Sequence, residues 1–334
     1  MRLWITSGTL ALAVSWVFIA GQADEPVKGT PADVAANAKK LKEKNGQKPD
    51  AAKASDKGAA KEVTGGKFLR VNRTDKGIVT GMDTSIARYV PSDPAKKGPV
   101  VDLISAVHVG EKAYYKALDK AFEDYDVVLY ELVAPEGTRV PKGGGERRGV
   151  VSGIQGGMKD ILALEFQLEQ VDYTKKNFVH ADMSPDQFAT AMKDRGESMA
   201  SMLFKMMGAS MAMQSEMQAK GQGGSEMEML FALFDPNNRA LKLKRAMAVQ
   251  FENMDNLSLM FGGKDGSTII EGRNVAALDV LKKQIADGKQ KIGIFYGGGY
   301  MPDMEKRLVK DFGMKFEKEE WLEAWSMPEP ATKK

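Results

Sequence analysis

The sequence contains no cysteine among its 334 residues. This absence excludes disulfide bonds, thiolate metal sites, cysteine nucleophiles and a lipidated N-terminal cysteine. A folded domain of this chain must therefore be stabilised by its apolar core rather than by covalent cross-links. Residues 67–334 are numerous enough to form such a core, either as one large domain or as two smaller ones.

Histidine is scarce as well, because the chain has only His108 and His180. Two imidazoles exclude a three-histidine zinc site. A divalent metal, if the protein binds one, would need carboxylates beside one or two imidazoles, which suits Mn, Co, Fe or Zn rather than copper. His180 ends a short apolar run and is interpreted as structural. His108 follows a longer apolar run and is a candidate metal ligand or general base, the alternative being a histidine bonded to the backbone.

A long uncharged apolar run occurs near the N-terminus, from Leu3 to Ala20. Arg2 precedes the run, and the small residues Gly21 and Ala23 follow it. This layout predicts a cleavable signal peptide over residues 1–23 and an exported protein, either periplasmic or secreted. An uncleaved anchor is the alternative, since the run is nearly long enough to span a bilayer. No later stretch has the length and apolarity of a membrane helix, so we expect no stable membrane insertion after cleavage.

Residues 24–66 contain no aromatic side chain and are rich in Ala, Lys, Asp and Gly. So little apolar surface cannot offset the entropy lost on ordering, and we predict a flexible linker. Over the whole chain, 48 basic residues nearly balance 45 acidic ones, for a net charge of +3. The charges are well mixed and form no basic stripe, so we expect no nucleic-acid partner.

An α/β pattern begins near residue 67 and continues to about residue 330. Val100–Val107 and Asp126–Val133 are nearly continuous apolar runs with a helical pattern between them, as in parallel strands joined by a helix. A later strand, Lys291–Tyr296, is followed by a glycine turn, Gly297–Gly299, and a helix that Pro302 opens.

The intervening residues, about 158–260, are mostly helical in pattern, beginning with a helix over Met158–Val171. Another helix is predicted to begin at the Ser184 cap with Pro185 in its first position. We therefore predict an α/β (α+β) fold, with a mixed, largely parallel sheet flanked by helices and a large helical insertion.

Three polar features lie at the carboxyl ends of the predicted strands: His108, Glu131 and the turn that ends at Tyr300. Ligands of open parallel sheets bind in the crevice beyond these strand ends. A carboxylate within the apolar run around Glu131 is costly unless it is paired, hydrogen-bonded or bound to a metal. A buried ion pair between Glu131 and Arg273 is the structural interpretation, and a catalytic or metal-binding carboxylate is the functional one.

The same residues carry a resemblance to the TraB/PrgY/GumN family. That family is related to the TIKI-type metalloproteases and, more distantly, to erythromycin-esterase-like and ChaN-like proteins. The resemblance covers residues 68–325 approximately. It rests on Val101–His108, the strand with Glu131, Glu271–Asn274 before a helix, and the final strand–glycine–helix unit.

The resemblance implies a hydrolase that uses a divalent metal to cut peptide bonds. His108 takes the place of the family's first Gly-x-x-His histidine, with Ser105 where the glycine usually stands. Glu131 and Arg273 take the places of the family's glutamate and arginine, and Tyr300 stands where its second histidine belongs. In this view His108 and Glu131 hold a metal or activate water. Arg273 orients the glutamate or stabilises negative charge, and Tyr300 donates a hydrogen bond.

Tyrosine is a poor replacement for an imidazole ligand, and two further interpretations stay open. One is a non-catalytic relative that binds a peptide or protein. The other rests on methionine, since ten of the 21 methionines lie between Met192 and Met229. Their helical spacing is typical of a packing face or an oligomer contact. A pliable groove for peptides and thioether binding of Cu(I) are the functional alternatives.

Overall fold

The computed structural model describes residues 63–135, 138, 140–143, 162–198, 201, 238–252 and 267–328. The predicted signal peptide and the methionines from Met199 to Met229 lie outside these residues. In the described part of the chain, no helix combines the length and apolarity needed to cross a membrane. The last residues of the predicted linker, Val63–Gly65, form a strand at the edge of the sheet.

A mixed sheet forms the centre of the described structure. Its strands are β1 (Val63–Gly65), β2 (Leu69–Arg73), β3 (Val79–Pro91), β4 (Val100–Ala106), β6 (Val127–Tyr130), β8 (Phe178–His180), β9 (Lys291–Gly297) and β10 (Met314–Ser326). They are ordered β1-β2-β3-β4-β9-β6-β8, with β10 paired to β3. Two further short strands, β5 (Val109–Gly110) and β7 (Glu165–Phe166), pair with each other beside it.

The strands β4, β9, β6 and β8 are parallel, and those around β3 are antiparallel. The predicted strands β4 and β6 therefore run in the same direction. They do not pair directly, because β9 lies between them. β9 comes from far along the chain, so the local strand–helix–strand pattern could not indicate that it would be inserted there.

Helices cover both faces of the sheet. They are α1 (Lys112–Ala121), α2 (Gln167–Gln170), α3 (Pro185–Asp194), α4 (Arg239–Glu252), α5 (Arg273–Ala286) and α6 (Met301–Asp311). Apolar residues of α1 and α4 pack with one face, and those of α3, α5 and α6 pack in a second cluster. The predicted α/β fold, a mixed sheet flanked by helices, is confirmed.

A local sequence signal explains where helix α3 begins. Ser184 caps α3, with its hydroxyl accepting from the Gln187 N–H and the Gln187 side chain accepting from the Ser184 N–H. This reciprocal capping box satisfies two N–H groups that the first turn of a helix leaves without partners. Pro185 follows in the first turn, where its missing N–H removes no helical bond.

The prediction of one helix over Met158–Val171 is wrong in its described part. Ala163 has a left-handed φ of 52°, and Glu165–Phe166 pair as strand β7 before the short α2. Leu164 and Phe166 are buried in the core cluster beneath α1. Tertiary packing thus overrides the helical spacing. The predicted helical insertion also supplies strand β8 to the main sheet, so its described part is not purely helical.

Candidate functional site

The four parallel strands place polar side chains at one edge of the sheet. Paired residues near their ends are Ser105 with Tyr296, and Tyr130 with both Phe295 and His180. The residues that follow the four strands are His108 after β4, Glu131 after β6, Asp182 after β8 and Tyr300 after β9. The carboxyl edge predicted from the sequence is therefore where these groups meet.

Glu131 is held by neighbours on several sides and is only 8% exposed. Its Oε1 lies 2.9 Å from Nη2 of Arg273, and its Oε2 accepts from the Gly297 N–H at 2.8 Å. Burial alone would raise the pKa of Glu131, but Arg273, His108, the Gly297 N–H and the Tyr300 hydroxyl outweigh it and lower the pKa. Glu131 is therefore an anion near neutral pH.

Arg273 joins two carboxylates and is completely buried. Its Nε donates to Oδ1 of Asp182 at 2.9 Å, its Nη2 bonds to Oδ2 of the same carboxylate and to Glu131, and its Nη1 donates to the Tyr300 hydroxyl. Asp182 also accepts from the Met183 N–H at 2.8 Å. Burial would lower the pKa of Arg273, but Tyr300, Asp182 and Glu131 together keep it well above its ordinary value. The guanidinium is therefore a fixed, charged connection between β6 and β8.

Tyr300 ends the glycine turn and is buried beside Arg273. Its ring packs edge to face with Tyr296, at 5.5 Å between centroids, and lies 5.0 Å from the guanidinium carbon of Arg273. Burial raises the pKa of Tyr300, and the negative charges of Glu131 and Asp182 raise it further against the opposing effect of Arg273. The phenol therefore stays protonated and can donate a hydrogen bond.

The backbone around His108 is fixed by hydrogen bonds to three consecutive carbonyl groups. The Tyr115 hydroxyl donates to the Val107 carbonyl at 2.9 Å, the Gln167 N–H to that of His108 at 2.9 Å, and the Trp325 indole to that of Val109 at 2.7 Å. Donors from α1, α2 and β10 thus hold the loop after β4. A rigid loop gives the His108 ring a defined position at the sheet edge.

The imidazole of His108 is half-buried and close enough to Glu131 and Arg273 to interact with both. Burial lowers the pKa of His108 and Arg273 lowers it further, whereas Glu131 and the Gln167 side chain act in the opposite direction. The net effect favours neutral imidazole near neutral pH. A neutral imidazole can accept a proton, and Glu131 can stabilise the imidazolium that results.

His180 and Asn274 donate hydrogen bonds to main-chain carbonyls near the site. His180 donates from Nε2 to the Leu132 carbonyl, next to Glu131, which agrees with its interpretation as a structural histidine. Asn274 lies beside Arg273 at the start of α5 and donates to the Tyr300 carbonyl and to Asp303, at 3.0 Å each. Asn274 therefore anchors the turn that carries Tyr300.

All four predicted site residues, His108, Glu131, Arg273 and Tyr300, come together at this edge. The sequence interpretation missed Asp182, the second carboxylate on Arg273. A local signal for it existed, since Asp182 follows the apolar run that β8 forms. That run lies within the predicted helical insertion, where the pattern indicates no strand end.

The residues present do not fit a resident divalent metal well. The described residues include no group of three or more His, Asp and Glu side chains placed to hold a metal ion. The two predicted ligands are His108 and Glu131, and both oxygens of Glu131 already accept from Arg273 and Gly297. A fixed guanidinium beside a ligand oxygen repels a cation. A divalent metal held by His108 and Glu131 therefore stays a prediction from the sequence.

No protein-family model, curated protein or solved structure matches this chain. The resemblance to the TraB/PrgY/GumN family thus stays a prediction.

Proposed function

We propose that the protein is an exported hydrolase of peptides or proteins whose centre lies at His108 and Glu131. The observation that carries this proposal is the half-buried His108 imidazole close to the Glu131 carboxylate, which Arg273 and Gly297 hold in place. Burial lowers the pKa of His108 and so favours the neutral imidazole that a general base requires. The substrate class and the export come from the sequence, through the family resemblance and the predicted signal peptide.

In the proposed reaction, His108 takes a proton from a water molecule as the water oxygen attacks the carbonyl carbon of the scissile bond. The π electrons of the carbonyl move to its oxygen, and a tetrahedral intermediate forms. Glu131 stabilises the imidazolium at that moment. When the carbon–nitrogen bond breaks, the imidazolium returns its proton to the leaving amine. Arg273 acts as a positioning residue, because its N–H groups are committed to Glu131, Asp182 and Tyr300.

The test is hydrolysis of fluorescein-labelled casein and of a quenched peptide library by the chain from residue 24 onward. His108→Gln and Glu131→Gln should each lower kcat by about a hundredfold or more, the usual size of a lost general base. His180→Gln is the matched control, because the other histidine of the chain bonds to a backbone carbonyl. Full activity in His108→Gln would contradict the proposal. Elemental analysis of the same samples, with and without a chelator, tests the predicted metal.

A non-catalytic binding protein is the second candidate. It is favoured by the closed set of partners around Arg273, since Glu131, Asp182 and Tyr300 satisfy this buried guanidinium as in a structural ion network. In that case the wild-type protein cuts neither casein nor the library, whereas Glu131→Gln lowers thermal stability. Capture of intact peptides from the library by the wild-type chain would then support binding without turnover.

A further inference from the structure

Ser105 carries a buried hydroxyl for which the described structure provides no partner. The residue is 1% exposed, lies near the end of β4, and has no hydrogen bond to its Oγ. Its carbonyl, in contrast, accepts from the Tyr114 hydroxyl at 3.2 Å. A buried polar atom without a partner is unfavourable and uncommon, and it requires an explanation.

The glycine turn approaches this hydroxyl closely. A Cβ atom added to Gly298 would lie 3.0 Å from Oγ of Ser105, and one added to Gly297 would lie 3.4 Å from Oε2 of Glu131. Consecutive Cα atoms are about 3.8 Å apart, so the Ser105 hydroxyl and the Glu131 carboxylate flank the same short piece of main chain. A side chain at Gly298 would crowd the Ser105 hydroxyl, whereas a Cβ at Gly297 would be at van der Waals distance from Glu131.

The same turn is the start of a helical run. Gly298–Tyr300 form a 3₁₀ turn that continues without a break into the eleven residues of α6. The N–H of Gly299, in the first turn of this run, has no acceptor within the helix and lies at the positive end of its dipole. The Ser105 hydroxyl is therefore beside a backbone N–H donor that favours an oxygen with negative charge.

We infer that the Ser105 hydroxyl and the Gly299 N–H at the start of this helical run form a binding site for a substrate carbonyl or product carboxylate oxygen. This inference rests on the proposed function and adds Ser105 to it as a catalytic residue. When the carbonyl electrons move to oxygen during water attack, the Ser105 hydroxyl and the Gly299 N–H stabilise the oxyanion. His108 accepts the proton that the attacking water loses and becomes an imidazolium.

The test compares Ser105→Ala with Thr268→Val. Thr268 is a matched control because its hydroxyl is also buried and without a partner, but it lies in the turn before α5 rather than beside Gly298. Three quantities are measured for each variant: the thermal midpoint, the kinetics of casein hydrolysis, and the affinity for N-acetyl-dialanine, whose carboxylate mimics a peptide product.

In Ser105→Ala, we expect a thermal midpoint no lower than that of the wild type, since an unpartnered hydroxyl is removed. We expect kcat to fall about tenfold to a hundredfold with little change in KM, because one oxyanion donor is lost. Binding of N-acetyl-dialanine should weaken about tenfold, as for a lost hydrogen bond to a charged group. Thr268→Val should change neither kcat nor this affinity.

The outcomes separate the two proposals. Unchanged kcat and affinity in Ser105→Ala, or a thermal midpoint lowered by several degrees, would overturn the role of Ser105 even if the wild type cuts casein. Suppose that Ser105→Ala weakens binding of N-acetyl-dialanine but the wild type does not cut casein. That result would support the oxygen-binding site and overturn the proposed hydrolase activity. Absence of both cleavage and binding in the wild type would overturn both.

Discussion

Two buried ionic clusters lie in the same sheet and differ in what surrounds them. At the carboxyl edge, Arg273 joins Glu131 and Asp182 and is 0% exposed. Within the sheet, Asp102 of β4 pairs with Arg88 directly opposite on β3. Arg88 donates twice to the Asp102 carboxylate, at 2.9 Å each, and its side chain keeps 27% of its surface exposed.

The cluster around Asp102 is complete in itself. The Tyr125 hydroxyl adds a third bond to the Asp102 carboxylate at 2.7 Å. Burial and the neighbouring Asp102 raise the pKa of Tyr125, so this phenol remains a donor. The hydrogen bond to Asp102 raises the pKa of Arg88 above its already high ordinary value. Asp102 lies in the first half of β4, away from the carboxyl edge that carries His108 and the glycine turn.

The difference shows that a buried ion pair alone does not identify a functional site. Both clusters place charges where charges are costly, and both compensate them with close partners. Only the edge cluster lies at the ends of parallel strands, next to His108 and to the unpartnered hydroxyl of Ser105. Position at the ends of the parallel strands is therefore more informative than burial of charge.

The largest effect is expected from Arg273→Met. This substitution leaves the carboxylates of Glu131 and Asp182 buried without their cation, and we expect unfolding free energy to fall by about 3–5 kcal/mol. Urea denaturation followed by circular dichroism measures the loss. Arg273→Lys is the control that keeps a positive charge without the bidentate geometry, and its unfolding free energy should fall less. A loss below about 1 kcal/mol in Arg273→Met would show that this network is not structural.

A smaller effect is expected from Asp102→Asn in the other cluster. Arg88 loses the carboxylate but retains contact with water, so the cost should be about 1–3 kcal/mol, as for a broken hydrogen bond to a charged group. Casein hydrolysis should be unchanged once folded protein is compared at equal concentration. An activity loss as large as that of Glu131→Gln would remove the distinction between the two clusters.

Lowering the pH should remove the stabilisation of the fold that ionised Glu131 contributes. Because the pKa of Glu131 is lower in the folded protein than the ordinary value near 4.3, the unfolded chain takes up a proton first as pH falls. The stabilisation is complete above about pH 4.3 and is lost as pH falls from there through the folded pKa. Urea denaturation of wild type and Glu131→Gln between about pH 3 and 6 tests this. The stability of the variant should fall less steeply over that range, and equal slopes would contradict the shift.

The smallest effect is expected from Arg88→Lys. Lysine keeps the charge opposite Asp102 but cannot form the paired bonds of the guanidinium. Because the Arg88 side chain is partly exposed, we expect a loss below about 1 kcal/mol and no change in activity. Differential scanning calorimetry of Arg88→Lys and Arg273→Lys measures the stability lost in each variant. A loss as large as in Arg273→Lys would show that exposure does not separate the two arginines.

Local pattern was sufficient for much of the fold. The apolar runs of β4, β6 and β9, the cap of α3 and the helix after Pro302 were all predicted, because each depends on neighbouring residues. The helix predicted over Met158–Val171 failed where core packing of Leu164 and Phe166 favoured an extended chain. Short apolar runs suit a strand or a buried helix equally well, and only their partners decide.

The sequence by itself determined the α/β class and placed His108, Glu131 and Tyr300 after strands, because side-chain periodicity and strand ends are properties of nearby residues. The tertiary structure decided the rest. It inserted β9 between β4 and β6, brought Asp182 to Arg273 across 91 positions of sequence, and set Ser105 against Gly298. These contacts depend on strand order and on the close approach of main chain to side chain, which come from packing of the whole core.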